Sequence, residues 1–158
     1  MKKLTHLDED GHPRMVNVGE KPNTNRVAVA EGVVRMSAPA LARIADGTVS
    51  KGDVFSIARL AGIQGAKRTA DLIPLCHPLP IDGVEVDVTP FADQCLVRIQ
   101  ATVRTHWRTG VEMEALMAVN AAALTIYDMV KSIDRGMSID GVRLLEKRGG
   151  RSGTWKAK

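Results

Sequence analysis

The order strand, two helices, hairpin, helix, strand predicts a ferredoxin-like α+β sandwich, an antiparallel four-stranded sheet with helices packed on one face. Three observations carry this. Val84-Glu85-Val86-Asp87-Val88 alternates strictly, and Leu96 to Val103 alternates more loosely, so the two pair as a hairpin. From about Val111 to Ile133 apolar residues cover nearly the whole circumference of a helix about 33 Å long. A length of 158 residues with 44% hydrophobic content suits one domain with its own core.

Residues 1–25 are polar, carry Gly11, Pro13 and Pro22, and read as an irregular arm. A single domain follows over 26–148. Val27, Val29, Val33 and Met36 mark its first strand, with an irregularity expected at Gly32. Ser37 can cap a short helix that tolerates Pro39 in its first turn and ends near Asp46-Gly47. Lys51-Gly52-Asp53 opens a second helix, Val54 to about Arg68. The run Ile73-Pro74-Leu75-Cys76-His77-Pro78-Leu79-Pro80 is a stiff loop, because each proline fixes its own φ and pushes the preceding residue to extended backbone. Pro90 to Gln94 connect the hairpin, Met137 to Leu145 form a last strand, and 149–158 read as a flexible tail.

The long helix carries a further message. Val111, Met113, Leu116, Met117, Val119, Ala121 to Ala123, Leu124, Ile126, Met129 and Val130 cover nearly its whole circumference. A helix lying on one sheet needs a single apolar stripe. A second buried face is implied, and a homo-oligomer is its simplest supplier.

Composition narrows the function classes. Cys76 and Cys95 match no zinc spacing and read as reduced thiols of a cytoplasmic protein. No apolar run approaches the roughly 20 residues of a membrane span, and the N-terminus shows no signal segment. The net charge of +4 suits an anionic partner, either nucleic acid or a small phosphorylated ligand. Only five residues are aromatic, which disfavours single-strand binding by stacking, and no aromatic RNA-binding pattern marks the strands.

Polar residues embedded in apolar segments are the informative ones, since buried charge is costly unless paired or used. Asp128 and Lys131 stand three apart on the long helix and share a face. They form either an ordinary helix ion pair or, beside a cleft, a proton-handling pair. Glu112 and Glu114 near the other end either complement the helix dipole or face a site. Glu112 and Asp128 lie about 24 Å apart along one helix. If both act, they serve separate steps or meet across a subunit contact. Lys51, Lys67, Arg68 and Lys147 are either solvated surface charge or a phosphate cradle, with Lys51-Gly52 offering backbone N–H groups at a helix start. His77 beside Cys76 is by itself weak, and no strong metal-ligand set appears.

Three stretches resemble the signature of the cyclic pyranopterin monophosphate synthase family, the C protein of molybdenum-cofactor biosynthesis. They are Lys51-Gly52-Asp53-Val54 through Ile63; Ala66-Lys67-Arg68-Thr69 with Asp71 to Leu79; and Thr109-Gly110-Val111-Glu112-Met113-Glu114-Ala115-Leu116 with Ala122 to Met129. Val142-Arg143-Leu144-Leu145 and Gly149 to Gly153 fit as well, so the likeness runs from about Thr5 to Gly153. The resemblance implies a hexamer of ferredoxin-like subunits with sites at subunit contacts. It implies a nucleotide-derived substrate, a cyclised dihydroguanosine triphosphate, rebuilt into a pyranopterin carrying a cyclic phosphate as pyrophosphate leaves. No redox cofactor or resident metal is implied, any Mg²⁺ travelling with the triphosphate, and neither nucleic acid nor membrane is a partner.

By motif position, Asp128 and Lys131 resemble the central acid–base pair and Lys51 a second catalytic lysine. His77 and Glu112 resemble residues that bind substrate or shuttle protons. Leu75, Cys76, His77, Met113 and Glu114 match substrate-contacting segments, and Arg26, Lys67, Arg68 and Lys147 phosphate contacts. The chain departs from the family at Trp107, where glycine is usual, at Met117, where Thr is usual, and at Asn17, where Asp is common. A non-catalytic purine-phosphate-binding module is the alternative implied by the same ligand chemistry.

Overall fold

A computed structural model describes residues 7–158; residues 1–6 of the expected arm lie outside it. The elements follow the expected order: β1 (Thr24–Arg35), α1 (Ala38–Ala45), α2 (Val54–Lys67), α3 (Thr69–Leu72), β2 (Gly83–Phe91), β3 (Leu96–Trp107), α4 (Glu112–Val130), β4 (Ser138–Arg148) and β5 (Trp155–Lys156). All strand pairings are antiparallel, in the order β2-β3-β1-β4-β5. The first four strands with α2 and α4 make a β-α-β-β-α-β unit, the ferredoxin-like arrangement. The two-residue β5 is an added edge on β4, inside the segment expected to be a tail.

The period-2 alternation of β1 and β3 turns one face inward. Ala28, Ala30, Gly32 and Val34 of β1 and Val97, Ile99, Ala101 and Val103 of β3 are buried. The β1 row is mostly small, so α4 lies close to the sheet. A Cβ on Gly32 would stand 2.8 Å from Val119 Cγ1. The irregularity expected at Gly32 is a register shift of β1 against β4 between Glu31 and Val33, with a second between Val29 and Ala30.

Helix starts show how local signals were used. Asp53 caps α2, accepting from the Ser56 backbone N–H at 3.1 Å. Ser37 occupies the N-cap of α1 but makes no side-chain capping bond. Its backbone N–H donates instead to Asp134 Oδ2 at 2.7 Å, which ties α1 to the turn after α4. The short α3, absent from the sequence expectation, follows α2 directly. Buried Thr69 holds the junction, its hydroxyl donating to the Ala66 carbonyl at 3.0 Å.

The second apolar face of α4 is largely covered within the chain, by α2. Gly62 and Gly65 of α2 lie against α4 backbone: added Cβ atoms would stand 3.1 Å from the Ala118 carbonyl and 3.0 Å from the Met117 carbonyl. The all-round pattern of α4 therefore has an intrachain cause, helix wedged between sheet and helix. Apolar residues remain exposed on both helices, notably Leu60 at 66% and Leu124 at 60%. By length and composition α4 would reach across a bilayer, unlike the sequence expectation, but half of that stretch is buried in this core.

Gly65→Val is expected to destabilise the fold by about 1–3 kcal/mol through overpacking against Ala121 and Met117. Urea unfolding checks this, and a wild-type midpoint would contradict the close α2–α4 approach.

Candidate active site

Two groups of chemically active side chains sit at opposite ends of α4. At its C-terminal end Asp128 accepts from two lysines. Lys131 Nζ lies 2.6 Å from Oδ1, one helical turn on, and Lys51 Nζ lies 3.0 Å from Oδ2 and 2.7 Å from the Asp128 carbonyl. Lys51 arrives from the α1–α2 loop, whose reversal is made at Gly52 with φ +99°, a conformation that favours glycine. All three side chains are about half exposed, open to a ligand or a second subunit. Hydrogen bonds from Lys131 and then Lys51, with their charges, hold the Asp128 carboxyl below its ordinary range.

At the N-terminal end of α4, a cleft of about 380 Å³ is lined by Leu75, Cys76, His77, Glu112, Met113 and Glu114, with Val16 and Val18 from the arm. The proline-rich loop is anchored on both sides. The Thr105 hydroxyl donates to the Pro80 carbonyl, and the Asp82 N–H donates to the Arg104 carbonyl at 2.9 Å. His77 Nε2 lies 2.7 Å from the Val16 carbonyl. A carbonyl only accepts, so Nε2 donates in this contact. Glu114 is 4% exposed, and burial, with the Glu112 charge adding to it, pushes its carboxyl up to about 7. Burial, and then the charge of Glu114, raises the Cys76 thiol. Glu114 and His77 line the same cleft, which gathers two groups able to exchange protons.

A second cleft of about 670 Å³ adjoins the first, sharing Lys21, Thr109 and Gly110. Arg26, Arg108 and Arg151 line it with Lys21. The tail reaches it through Gly149 and Gly150, at φ +97° and +72°, where any Cβ would strike the Asn25 carbonyl or the Arg26 guanidinium.

The structure thus brings Asp128, Lys131 and Lys51 together, and separately brings His77, Glu112, Glu114, Cys76, Leu75 and Met113 together. It does not join the two groups within one chain. The four expected phosphate contacts are also dispersed. Arg26 lines the larger cleft, and Lys147 reaches its rim by donating to the Ser152 hydroxyl. Lys67 borders His77 and Glu114 on another side, and Arg68 pairs with Asp71 at 3.2 Å. Sequence reasoning missed Lys21, Arg108 and Arg151 as site residues. Arg108 and Arg151 had only their nearness to the Thr109-Gly110 and Gly149-Gly150 turns as a signal, and Lys21 had none. Asp8, Asp10 and His12 stand close enough to share a cation, but Asp8 Oδ1 already accepts the N–H groups of Asp10 and His12.

Fold and clefts together define an α+β protein with a cationic cleft adjoining a second cleft that carries several titratable side chains. Residues 15–150 match the MoaC family, and the chain belongs to that family. It is 61% identical over 157 residues to a cyclic pyranopterin monophosphate synthase of Thermomicrobium roseum, covering 99% of this chain and 94% of the relative. Relatives of the same name from Cereibacter sphaeroides and Novosphingobium aromaticivorans are 60% and 56% identical, with 99% of each chain covered.

Proposed function

We propose that this chain is a cyclic pyranopterin monophosphate synthase of molybdenum-cofactor biosynthesis, acting on a cyclised dihydroguanosine triphosphate. The observation that carries the reading is Asp128 clamped between Lys51 and Lys131, on a chain 61% identical to a protein of that name. The reaction is that of a phosphorus–oxygen lyase run by acid–base catalysis. A ribose-derived hydroxyl attacks the α-phosphorus, its proton passes to a base, and the bond to the β-phosphate breaks with pyrophosphate carrying away the electron pair. The ring rearrangement before it requires proton transfers at several atoms, which the lysine–aspartate cluster and the His77–Glu112–Glu114 cleft would share. Neither a redox cofactor nor a resident metal enters this scheme, and any Mg²⁺ comes with the triphosphate.

The two groups would act on one substrate across a contact between subunits of a homo-oligomer, a hexamer in this reading. About 24 Å of helix separates them in one chain, and exposed Leu60 and Leu124 give the helical layer apolar surface to bury. Work in the cytoplasm belongs to the same reading and suits the two free cysteines.

The test is anaerobic incubation of purified protein with the cyclised triphosphate, following pyrophosphate release and the fluorescent oxidation product of the pterin. Both products are expected in equal amounts. Tight binding without either product would favour the non-catalytic purine-phosphate module.

A further inference from the structure

The larger cleft holds more positive charge than its neighbours offset. Lys21, Arg26, Arg108 and Arg151 line it without a lining carboxylate, and among the described residues none of the four enters an ion pair. The Glu112 carboxylate lies against Gly110, which both clefts share, and lines the adjoining cleft. Among the described residues, two buried side-chain atoms lack a hydrogen-bond partner, Thr24 Oγ1 and Arg26 Nε, and both belong to residues of this wall. Four cations without an ion-pair partner, one of them with a buried unpaired N–H, suit a polyanion.

Arg108 is held differently from the other three. It sits in the link between β3 and α4, where backbone pairing has ended. Its guanidinium carbon lies 5.3 Å from the ring centroid of Trp107, within cation–π range. Trp107 is itself fixed to the sheet, opposite Thr24 in the β1–β3 ladder. The Arg108 carbonyl accepts from Arg26 Nη2 at 3.3 Å, so the two arginines are also linked through the backbone. A free arginine loses rotamer freedom when it grips an anion, whereas one already stacked on a ring loses less.

We propose that Trp107 is a positioning residue, holding Arg108 in place as a further contact for the pyrophosphate end of the substrate. The inference rests on the proposed function for the ligand, a triphosphate that departs as pyrophosphate.

Inorganic pyrophosphate is the probe, titrated calorimetrically into the full chain as it assembles, with steady-state kinetics run in parallel. Trp107→Gly is expected to weaken pyrophosphate binding and raise KM by about threefold to fivefold, with kcat within about twofold of wild type. Trp107→Phe keeps a ring and is expected to recover most of the loss. Arg108→Gln is expected to weaken binding at least as much, and adding Trp107→Gly to it to do little more. Wild-type pyrophosphate affinity in Trp107→Gly would overturn the proposal, and so would a fall in kcat at unchanged KM. Equal losses in the Gly and Phe variants would do the same. If wild type shows no turnover, the proposed function fails, yet pyrophosphate affinity that depends on Trp107 would still uphold the clamp. Pyrophosphate binding that ignores Trp107 in an inactive protein would overturn both.

Discussion

Asp128→Asn is expected to lower kcat/KM by about 10²- to 10⁴-fold while leaving assembly and melting temperature near wild type. The size of the effect follows from what the carboxylate does. It accepts from Lys131 and Lys51 on separate oxygens, so it offsets one of their two charges and orients both ammonium groups. Asparagine keeps the shape but removes the charge, leaving two lysines facing each other. Its NH₂ group can also only donate where an oxygen accepted. The side chain is 59% exposed, so its loss removes little packing. Because the Asp128 carboxyl is held below its ordinary range, it stays ionised through the neutral region. Its contribution is lost only as pH falls through that depressed value. Mixing Asp128→Asn subunits with Glu112→Gln subunits is expected to restore part of the activity, since some contacts then join intact halves. Near wild-type turnover in pure Asp128→Asn would remove it from the chemistry, and failure of mixing would confine the site to one chain.

Glu114→Gln is expected to change how stability depends on pH more than any other single substitution. Glu114 is buried, and burial, reinforced by the Glu112 charge, raises its carboxyl from 4.5 to about 7. Between those values the folded protein binds a proton that the unfolded chain has released. Wild type therefore loses stability as pH rises through this window, by up to roughly 3 kcal/mol at about 1.4 kcal/mol per unit. Below pH 4.5 both states are protonated and the term vanishes; above about 7 it is complete. The glutamine variant has no such proton to lose. Its denaturant midpoint is expected to gain on wild type between pH 4.5 and 7 and run parallel above. Profiles parallel throughout would mean that Glu114 is ionised as readily in the fold as out of it.

The fold was largely legible because its determinants are periodic. Alternation at Val84 to Val88 marked β2, and the long apolar stretch marked α4, whose end was set three residues late because helix ends fray. α3 escaped notice because four residues carry no period. In the site, the Asp128–Lys131 pair was readable from its spacing. Lys51, 77 residues from Asp128, joined it through motif resemblance alone. The arm's role was illegible because Val16 acts through its carbonyl, which has no sequence signature. Arg26 was expected from the resemblance, but Lys21, Arg108 and Arg151 escaped because they come from distant segments that meet only in the fold, Arg151 by way of positive-φ Gly149 and Gly150. The second apolar face of α4 was real, but its main occupant is α2, whose glycines gave no sign of which helix they would meet.

Helix α4 also fixes a spacing within the molecule. It carries Glu112 and Glu114 at one end and Asp128 at the other, and its middle, Met117 to Ala121, is gripped by Gly32 on one side and by Gly62 and Gly65 on the other. Such a helix behaves as a gauge whose two ends are keyed in angle as well as in length. A single inserted residue between them would turn one end relative to the other by about 100° while lengthening the rod by only about 1.5 Å. Inserting a whole turn would restore the angle but displace one end by about 5 Å. Replacing a side chain on this rod would leave the spacing and angle of its ends as they are, whereas adding or removing a residue would alter both.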